Sequence, residues 1–269
     1  MLFDREIIEY ERILKEYQSF IVESFDKNDF KFYNEILFSA HSCGIEGNSF
    51  SVDDTRTLKE QGLGMIPYGK TLYEAFEILD HFKAYEFLFG KTGEPLSESL
   101  LKETHRLLTE HTLSYRYNDA VPGEYTNTDM AAGDTIFGDH RKLIPQVPKL
   151  LESTQNQINK KEIHPVILAA RFHCFFEYLH PFRDGNGRIG RLFSNFILLK
   201  MHNPLIIITK ESREKYLNAL ISYKKEGTDE FIISFFFETA TARMTYEINE
   251  KKNLTKNYIT GFEEIKKQK

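Results

Sequence analysis

Cysteine is scarce in this sequence, with two residues in 269, Cys43 and Cys174. Two cysteines are too few for a disulfide framework, both lie on apolar helical stripes, and no paired Cys/His spacing indicates a zinc site. We therefore expect a protein that folds without disulfides in a reducing cytoplasm.

Long apolar runs are also missing. The longest, such as Leu205–Ile208 and Phe231–Phe237, are interrupted or far too short to span a bilayer, and the charged N-terminus is not a secretory pattern. The net charge of −5 gives no general attraction to nucleic acid or to an anionic membrane. We expect a soluble protein that has neither a membrane nor nucleic acid as a partner.

The hydrophobic residues that are present repeat mostly with a helical period. They make up 41% of the chain, enough for one sizeable core or one core plus a smaller helical lobe. This periodicity predicts an all-α fold with helices over residues 2–25, 29–43, 71–89, 97–111, 147–159, 165–179, 186–201, 212–224 and 228–249.

Glycine and proline concentrate just before Thr71, where they break the helical pattern. This break is the best candidate for a domain boundary. We expect an N-terminal helical lobe at residues 1–69, a core at 70–242 and a basic helical tail at 243–269.

The densest cluster of polar and charged side chains lies between two predicted helices, at residues 180–191. It reads His-Pro-Phe-Arg-Asp-Gly-Asn-Gly-Arg-Ile-Gly-Arg. A helix N-terminus leaves backbone N–H groups unpaired and carries partial positive charge, so it holds phosphate oxygens well. Gly185 and Gly187 have no Cβ to obstruct the approach. The segment predicts a phosphate-binding loop.

The side chains of this loop fit the same chemistry. Asn186 can add a donor, while Arg188 and Arg191, spaced i and i+3, can neutralise the outer phosphates of a polyphosphate. Asp184 offers the hard oxygen ligand that Mg²⁺ prefers. His180 titrates near neutrality and can take a proton from an attacking hydroxyl. Together they indicate transfer of a phosphorus-bearing group.

Each fragment has a simpler interpretation when taken alone. A histidine before proline at a helix end usually packs or caps, and Asp-Gly and Asn-Gly are common turns. Because these fragments occur together with two arginines at helical spacing, the segment is better explained as a functional site than as a plain turn. His173, two turns before His180 on one helical face, raises a bis-histidine metal site as a weaker alternative, because Asp184 supplies only one further ligand.

The loop resembles the motif of the Fic family: histidine, any residue, phenylalanine, any residue, an acidic residue, Gly-Asn-Gly-Arg, two residues, then arginine. Every fixed position is filled. Most Fic proteins transfer AMP from ATP to a hydroxyl of a target protein. The resemblance implies that His180 deprotonates the hydroxyl, that Asp184 binds Mg²⁺, or Mn²⁺ in its place, and that residues 185–188 hold the phosphates while pyrophosphate leaves.

A second segment, Ser42-Cys43-Gly44-Ile45-Glu46-Gly47, is similar to the family's inhibitory motif: Ser or Thr, three residues, Glu, then Gly or Asn. An apolar stripe predicts a helix that ends near residues 44–47. Taken alone, Glu46 is a solvated residue at a helix end. The resemblance implies instead an inhibitory motif that includes Ser42, Glu46 and Gly47, in which the Glu46 carboxylate pairs with Arg191 and takes the place of the γ-phosphate.

Glycine and proline also punctuate short β-prone stretches at residues 122–138, which suits a hairpin or, equally, an irregular loop. In Fic proteins a hairpin flap here docks the target by strand-like pairing, which implies docking residues Thr135, Ile136 and Phe137. The usual flap continues Gly-x-Tyr with arginine, whereas this chain has Thr126.

The resemblance thus implies a Fic-type helical bundle with a short β-hairpin flap near the active site. The expected activity is Mg²⁺-dependent transfer of AMP from ATP to a Ser, Thr or Tyr hydroxyl, restrained by Glu46. Removal of AMP by the same site and a catalytically silent nucleotide-binding module are the alternatives. The implied partners are a target protein and a second copy of the chain, in self-modification or as a homodimer.

Overall fold

The computed structural model describes residues 2–132 and 135–267. Within these ranges the side chains of residues 132, 135 and 257–267 are not described. The described elements are α1 (Asp4–Phe20), α2 (Lys27–Ile45), α3 (Val52–Gln61), α4 (Leu72–Phe89), α5 (Glu98–Thr109), α6 (Leu113–Arg116), β1 (Ala131–Ala132), β2 (Thr135–Ile136), α7 (His140–Leu143), α8 (Val147–Lys160), α9 (Pro165–Leu179), α10 (Asn186–Lys200), α11 (Arg213–Glu226) and α12 (Glu230–Lys267).

The predominantly helical architecture is confirmed, and the helices that carry the site lie where the sequence places them. Helix α9 has the predicted bounds, and α10 begins at the predicted Asn186. The side chain of His164 accepts the N–H of Val166, and Pro165 occupies the first turn, where its missing N–H costs nothing. Local signals therefore define both helices.

The largest differences from the predicted helices are two wrong ends and one helix that was not predicted. The first helix ends at Phe20, and a 3₁₀ turn follows it. Helix α12 continues to Lys267, past residue 249 and through the proposed boundary at 242, because the polar stretch after 249 is compatible with a helix although it lacks an apolar period. Helix α3 was missed, since only Thr55 and Leu58 of it are buried. The division into three domains stays a prediction.

The core consists of two hydrophobic clusters. The larger one centres on α9 and α10, and α1 contributes to it through Tyr10, Leu14 and Tyr17. The smaller one lies between α2, α3 and α4. Both cysteines are buried and free. In the described part of the chain, no helix combines the length and apolarity that a bilayer crossing requires.

A short antiparallel pair lies in the segment for which a hairpin was considered. Ala131 pairs with Ile136 and Ala132 with Thr135, and the N–H of Phe137 donates to the carbonyl of Met130 at 2.9 Å. Gly133 and Asp134, which also fall in the expected flap, lie outside the described residues.

Helix α9 approaches α10 closely at Gly190. A Cβ added there would lie 2.8 Å from the Oε1 of Glu177 and 2.8 Å from the Nδ1 of His173. Both side chains belong to α9 and neither is the mobile tip of a surface residue, so glycine is required for this packing.

We expect Gly190→Ala to lower the free energy of unfolding by about 1–3 kcal/mol through overpacking. Urea denaturation followed by circular dichroism measures this change. Gly64→Ala is the matched control, because nothing lies within 4 Å of a Cβ added at that position. Equal stability of the two variants would contradict the packing argument.

Candidate active site

The connection from α9 to α10 contains two residues in left-handed conformation. His180 ends α9 with φ 45° and ψ 58°, and Gly185 precedes α10 with φ 78°. This conformation suits glycine, but it strains a residue that carries a Cβ. Such strain in a non-glycine residue persists only where the surroundings impose it, and it is characteristic of functional positions.

Asn186 holds the loop closed. Its side chain is buried; Oδ1 accepts the N–H of Phe182 at 2.9 Å, and Nδ2 donates to the carbonyl of Phe182 at 2.7 Å. The sequence predicted a side-chain donor to phosphate here. The structure uses the amide to close the loop, because the buried turn leaves backbone groups that need partners, and the role of Asn186 towards phosphate stays a prediction.

His105 also holds the loop, although no sequence motif includes it. Its ring is fully buried, lies 3.0 Å from the carbonyl of Asp184 through Nε2, and stacks on Phe182 at 3.7 Å. Its Nδ1 accepts the N–H of Gly123, so Nε2 carries the proton. Burial lowers the pKa of His105 to about 4 and keeps the ring neutral.

The imidazole of His180 is sheltered but not sealed off, with 15% of its side chain exposed. The ring of Phe137 stacks on it at 3.9 Å. Burial lowers the pKa of His180 to about 4, although the carboxylates of Glu46 and Asp184 oppose this shift. The ring is therefore neutral at pH 7 and can accept a proton.

His173 does not join His180 in a bis-histidine site. Its Nε2 lies 2.6 Å from the hydroxyl of Tyr216, which occupies that ligand position. In the described part of the chain, the side-chain groups with metal-ligand spacing include neither histidine. This alternative is not supported by the geometry.

Asp184 is the carboxylate of the loop that fits a metal ion. Its Oδ1 accepts the N–H of Gly185 at 2.7 Å, and its Oδ2 lies 3.5 Å from Arg116, whose side chain is half exposed. The carboxylate itself is 24% exposed. A hydrated divalent cation can therefore reach Oδ2 by displacing the half-exposed side chain of Arg116.

Arg191 is buried and fully engaged by other parts of the chain. Its Nη2 donates to the carbonyl of Ser42 at 2.8 Å and to the carboxylate of Glu46 at 2.6 Å, and its Nε donates to the hydroxyl of Ser42 at 3.1 Å. Its Nη1 reaches Tyr216 at 3.3 Å.

Glu46 follows α2 and lies against the first turn of α10. A Cβ added to Gly187 would collide with the Glu46 carboxylate and lie 3.0 Å from Arg191. Burial favours a higher pKa for Glu46, but Arg191 and Arg188 outweigh it and hold the pKa below its ordinary value. An ionised carboxylate thus occupies the helix end where an anion is expected.

Arg188 is also buried and faces a carboxylate. Its Nη1 lies 3.4 Å from Glu77 of α4, and Glu77 in turn accepts a bond of 3.0 Å from the side chain of Asn48. Gly47 has φ 102°, which turns the chain between Glu46 and Asn48. Neither Glu77 nor Asn48 was a sequence candidate, because no local pattern links them to the loop.

Glu177 adds an acidic group beside the site, with its Oε2 4.0 Å from the Nδ1 of His180. Burial raises the pKa of Glu177 to about 8, with Arg191 acting in the opposite direction. The carboxyl is therefore mostly protonated at pH 7, and the inner wall of the site carries less negative charge than its sequence suggests.

The expected docking residues lie on and beside β2. Thr135 pairs with Ala132 through the backbone, and Ile136 is 79% exposed. Phe137 contacts His180 by ring stacking. The structure thus brings this segment next to the candidate base.

Comparison with known proteins finds a family match within residues 95–198. The sequence profile of the Fic/DOC family matches residues 95–198, which include the flap and the loop but not residues 42–47. Proteins named protein adenylyltransferase Fic are similar over 67% of this chain: the one from Drosophila grimshawi is 31% identical over 185 residues, and the one from Culex quinquefasciatus 33% over 187. The matched region spans about a third of these relatives, 36% and 35% of their lengths.

Solved structures agree at the level of the fold. A Fic-domain-containing signalling protein from Bacteroides thetaiotaomicron aligns with a TM-score of 0.77 and 22% identity, over 91% of this chain and 97% of its own. Fic-1 from C. elegans aligns with a TM-score of 0.73 and 22% identity, over 92% and 73%. The likeness extends beyond the residues that the family profile matches.

We expect the imidazole of His180 to titrate near pH 4 rather than near 6.5, so that its neutral form persists throughout the near-neutral range. Nuclear magnetic resonance of ¹⁵N-labelled imidazoles measures the midpoint. Phe137→Ala, which uncovers the ring, should move the midpoint upward towards 6.5. A midpoint near 6.5 in the unchanged protein would contradict the assignment.

Proposed function

We propose that the chain, whose residues 95–198 match the profile of the Fic/DOC family, is a protein adenylyltransferase that transfers AMP from ATP to a Ser, Thr or Tyr hydroxyl of a target protein. The observation that carries this proposal is the loop between α9 and α10. A neutral imidazole, a partly exposed carboxylate and a helix N-terminus lie within a few residues of one another there. The name of the relatives supports the same reaction.

In the proposed reaction the target oxygen attacks the α-phosphorus of ATP. A new phosphorus–oxygen bond forms, the bond to the β-phosphate oxygen breaks, and pyrophosphate leaves. The proton of the hydroxyl passes to His180, whose neutral ring is ready to accept it. The first-turn N–H groups of α10, with Arg188 and Arg191, bind the phosphates.

Asp184 is the proposed ligand of Mg²⁺, or of Mn²⁺ in its place. Held there, the cation would neutralise phosphate charge during the transfer. Its fit rests on the exposed Oδ2 and on the bond from Gly185 that orients the carboxylate.

We further propose that Glu46 inhibits this reaction. Its carboxylate is bonded to Arg191 and contacts Gly187, so a γ-phosphate bound at the same place has to displace it. The two anions compete for one guanidinium, and ATP binds productively only when Glu46 has moved.

We propose that the segment around β2 docks the target, which brings the acceptor hydroxyl to His180. The exposed Ile136 and the contact of Phe137 with His180 support this role. A second copy of the chain is the first acceptor to test, because self-modification needs no knowledge of the natural target.

Glu46→Gly should raise AMP transfer by about tenfold or more, since a hydrogen bond between charged groups contributes about 1.5–3 kcal/mol. The measurement is incorporation of label from α-labelled ATP with Mg²⁺. Glu226→Gly is the matched control, because Glu226 also ends a helix before a glycine of positive φ, Gly227.

The same assay tests the base. His180→Ala in the Glu46→Gly background should abolish incorporation while ATP still binds, and full activity would reject the base assignment. An unchanged rate in folded Glu46→Gly would remove the inhibitory role. Release of AMP from a modified protein by the wild type, but not by Glu46→Gly, would assign the reverse reaction instead.

Asp184→Asn should raise the Mg²⁺ concentration for half-maximal activity by about tenfold or more, because it removes the charge that holds the cation. The measurement is a Mg²⁺ titration of AMP transfer in the Glu46→Gly background. Asp53→Asn, an exposed change on α3, is the control. Identical titrations for both variants would exclude Asp184 as the ligand.

A further inference from the structure

The free edge of β2 faces away from β1 at Ile136. The N–H of Phe137 donates to the carbonyl of Met130, so Phe137 and Met130 form a hydrogen-bonded pair of the ladder. The neighbouring pair, Ile136 and Ala131, is then a non-hydrogen-bonded pair. In an antiparallel ladder the two kinds of pair alternate. The backbone N–H and C=O of Ile136 therefore point outwards, where an added strand would bond.

Lys224, in the last turn of α11, contacts this edge. Its Nζ donates to the carbonyl of Ile136 at 2.8 Å and lies 4.3 Å above the centre of the Phe137 ring. The same ring stacks on His180 at 3.9 Å. The ammonium group of Lys224 thus connects α11 to the outer edge of β2 and to the Phe137 ring that covers His180.

The pairing of β1 with β2 needs this support. Each strand has two residues, and an isolated hairpin of this size is not stable in water. A donor from outside the pair and a cation over an aromatic ring both restrict the position of β2. The position of β2 matters because a peptide that adds as a strand bonds to its backbone, so β2 determines where each residue of the peptide lies.

We propose that Lys224 is a positioning residue for the protein acceptor, which fixes the free edge of β2 in register with His180. This inference rests on the proposed docking role of β2. A carbonyl oxygen has two lone pairs, so the Ile136 carbonyl can accept from Lys224 and from a backbone N–H of the acceptor together. The acceptor is an extended segment that pairs with Ile136 and presents its hydroxyl to the imidazole.

The kinetic test uses Lys224→Met in the Glu46→Gly background, with a tagged His180→Ala copy of the chain as acceptor. We expect the KM for the acceptor to rise by about fivefold or more, the effect of one lost hydrogen bond, while the KM for ATP stays unchanged. Lys224→Arg, which keeps the charge and a donor, should restore the KM. Lys225→Met is the matched control on the same helix.

A second measurement needs no activity. The amide hydrogen of Phe137, bonded to Met130, should exchange with solvent faster in Lys224→Met than in the wild type and in Lys225→Met. Unchanged exchange overturns the inference, and so does faster exchange with an unaltered KM for the acceptor. If the Glu46→Gly parent transfers no AMP, the proposed function fails, and the exchange of Phe137 alone then decides whether Lys224 anchors β2.

Discussion

The buried guanidinium of Arg191 is the constraint on which the site depends. It is 2% exposed, and a buried charge without partners is strongly destabilising. Ser42 and Glu46 at the end of α2, and Tyr216 of α11, supply those partners. The contacts of one side chain therefore join α10 to α11 and to α2, whose Ser42 lies 149 positions earlier in the chain. The end of α2 stays on the loop because Arg191 would otherwise lose its compensation.

Arg188 and Arg191 are both already neutralised by carboxylates of the chain. Arg188 faces Glu77 and Arg191 faces Glu46. The two pairs differ in exposure: the side chain of Glu77 is 6% exposed, that of Glu46 38%. Glu46 can therefore leave at lower cost, and an incoming phosphate would compensate Arg191 in its place. Exchange of one anion for another, rather than the opening of an unoccupied cleft, is the physical basis of the proposed inhibition.

The sequence was sufficient to predict those parts of the structure that depend on residues close together along the chain. The bounds of α9, the start of α10 and the glycines of the loop follow from periodicity, capping and turn chemistry. It was not sufficient to predict the contacts that hold the loop between α9 and α10 in place. The bond of His105 to Asp184 spans 79 positions and the pair of Arg188 with Glu77 spans 111. Only a resemblance to a known family linked Glu46 to Arg191 in advance, since a lone glutamate at a helix end carries no such signal.

The surroundings of His180 make its imidazole a weaker base but keep it in the neutral form that can accept a proton. Burial and the cover of Phe137 weaken the imidazole as a base, yet they ensure that it is unprotonated at neutral pH. Negative charge at Glu46 and Asp184 limits this loss of basicity. Phosphate oxygens that replace the Glu46 carboxylate would bring negative charge to the same region. In the proposed reaction, the imidazole therefore experiences negative charge both before and after nucleotide replaces Glu46, so its pKa does not have to change when the proposed inhibition is released.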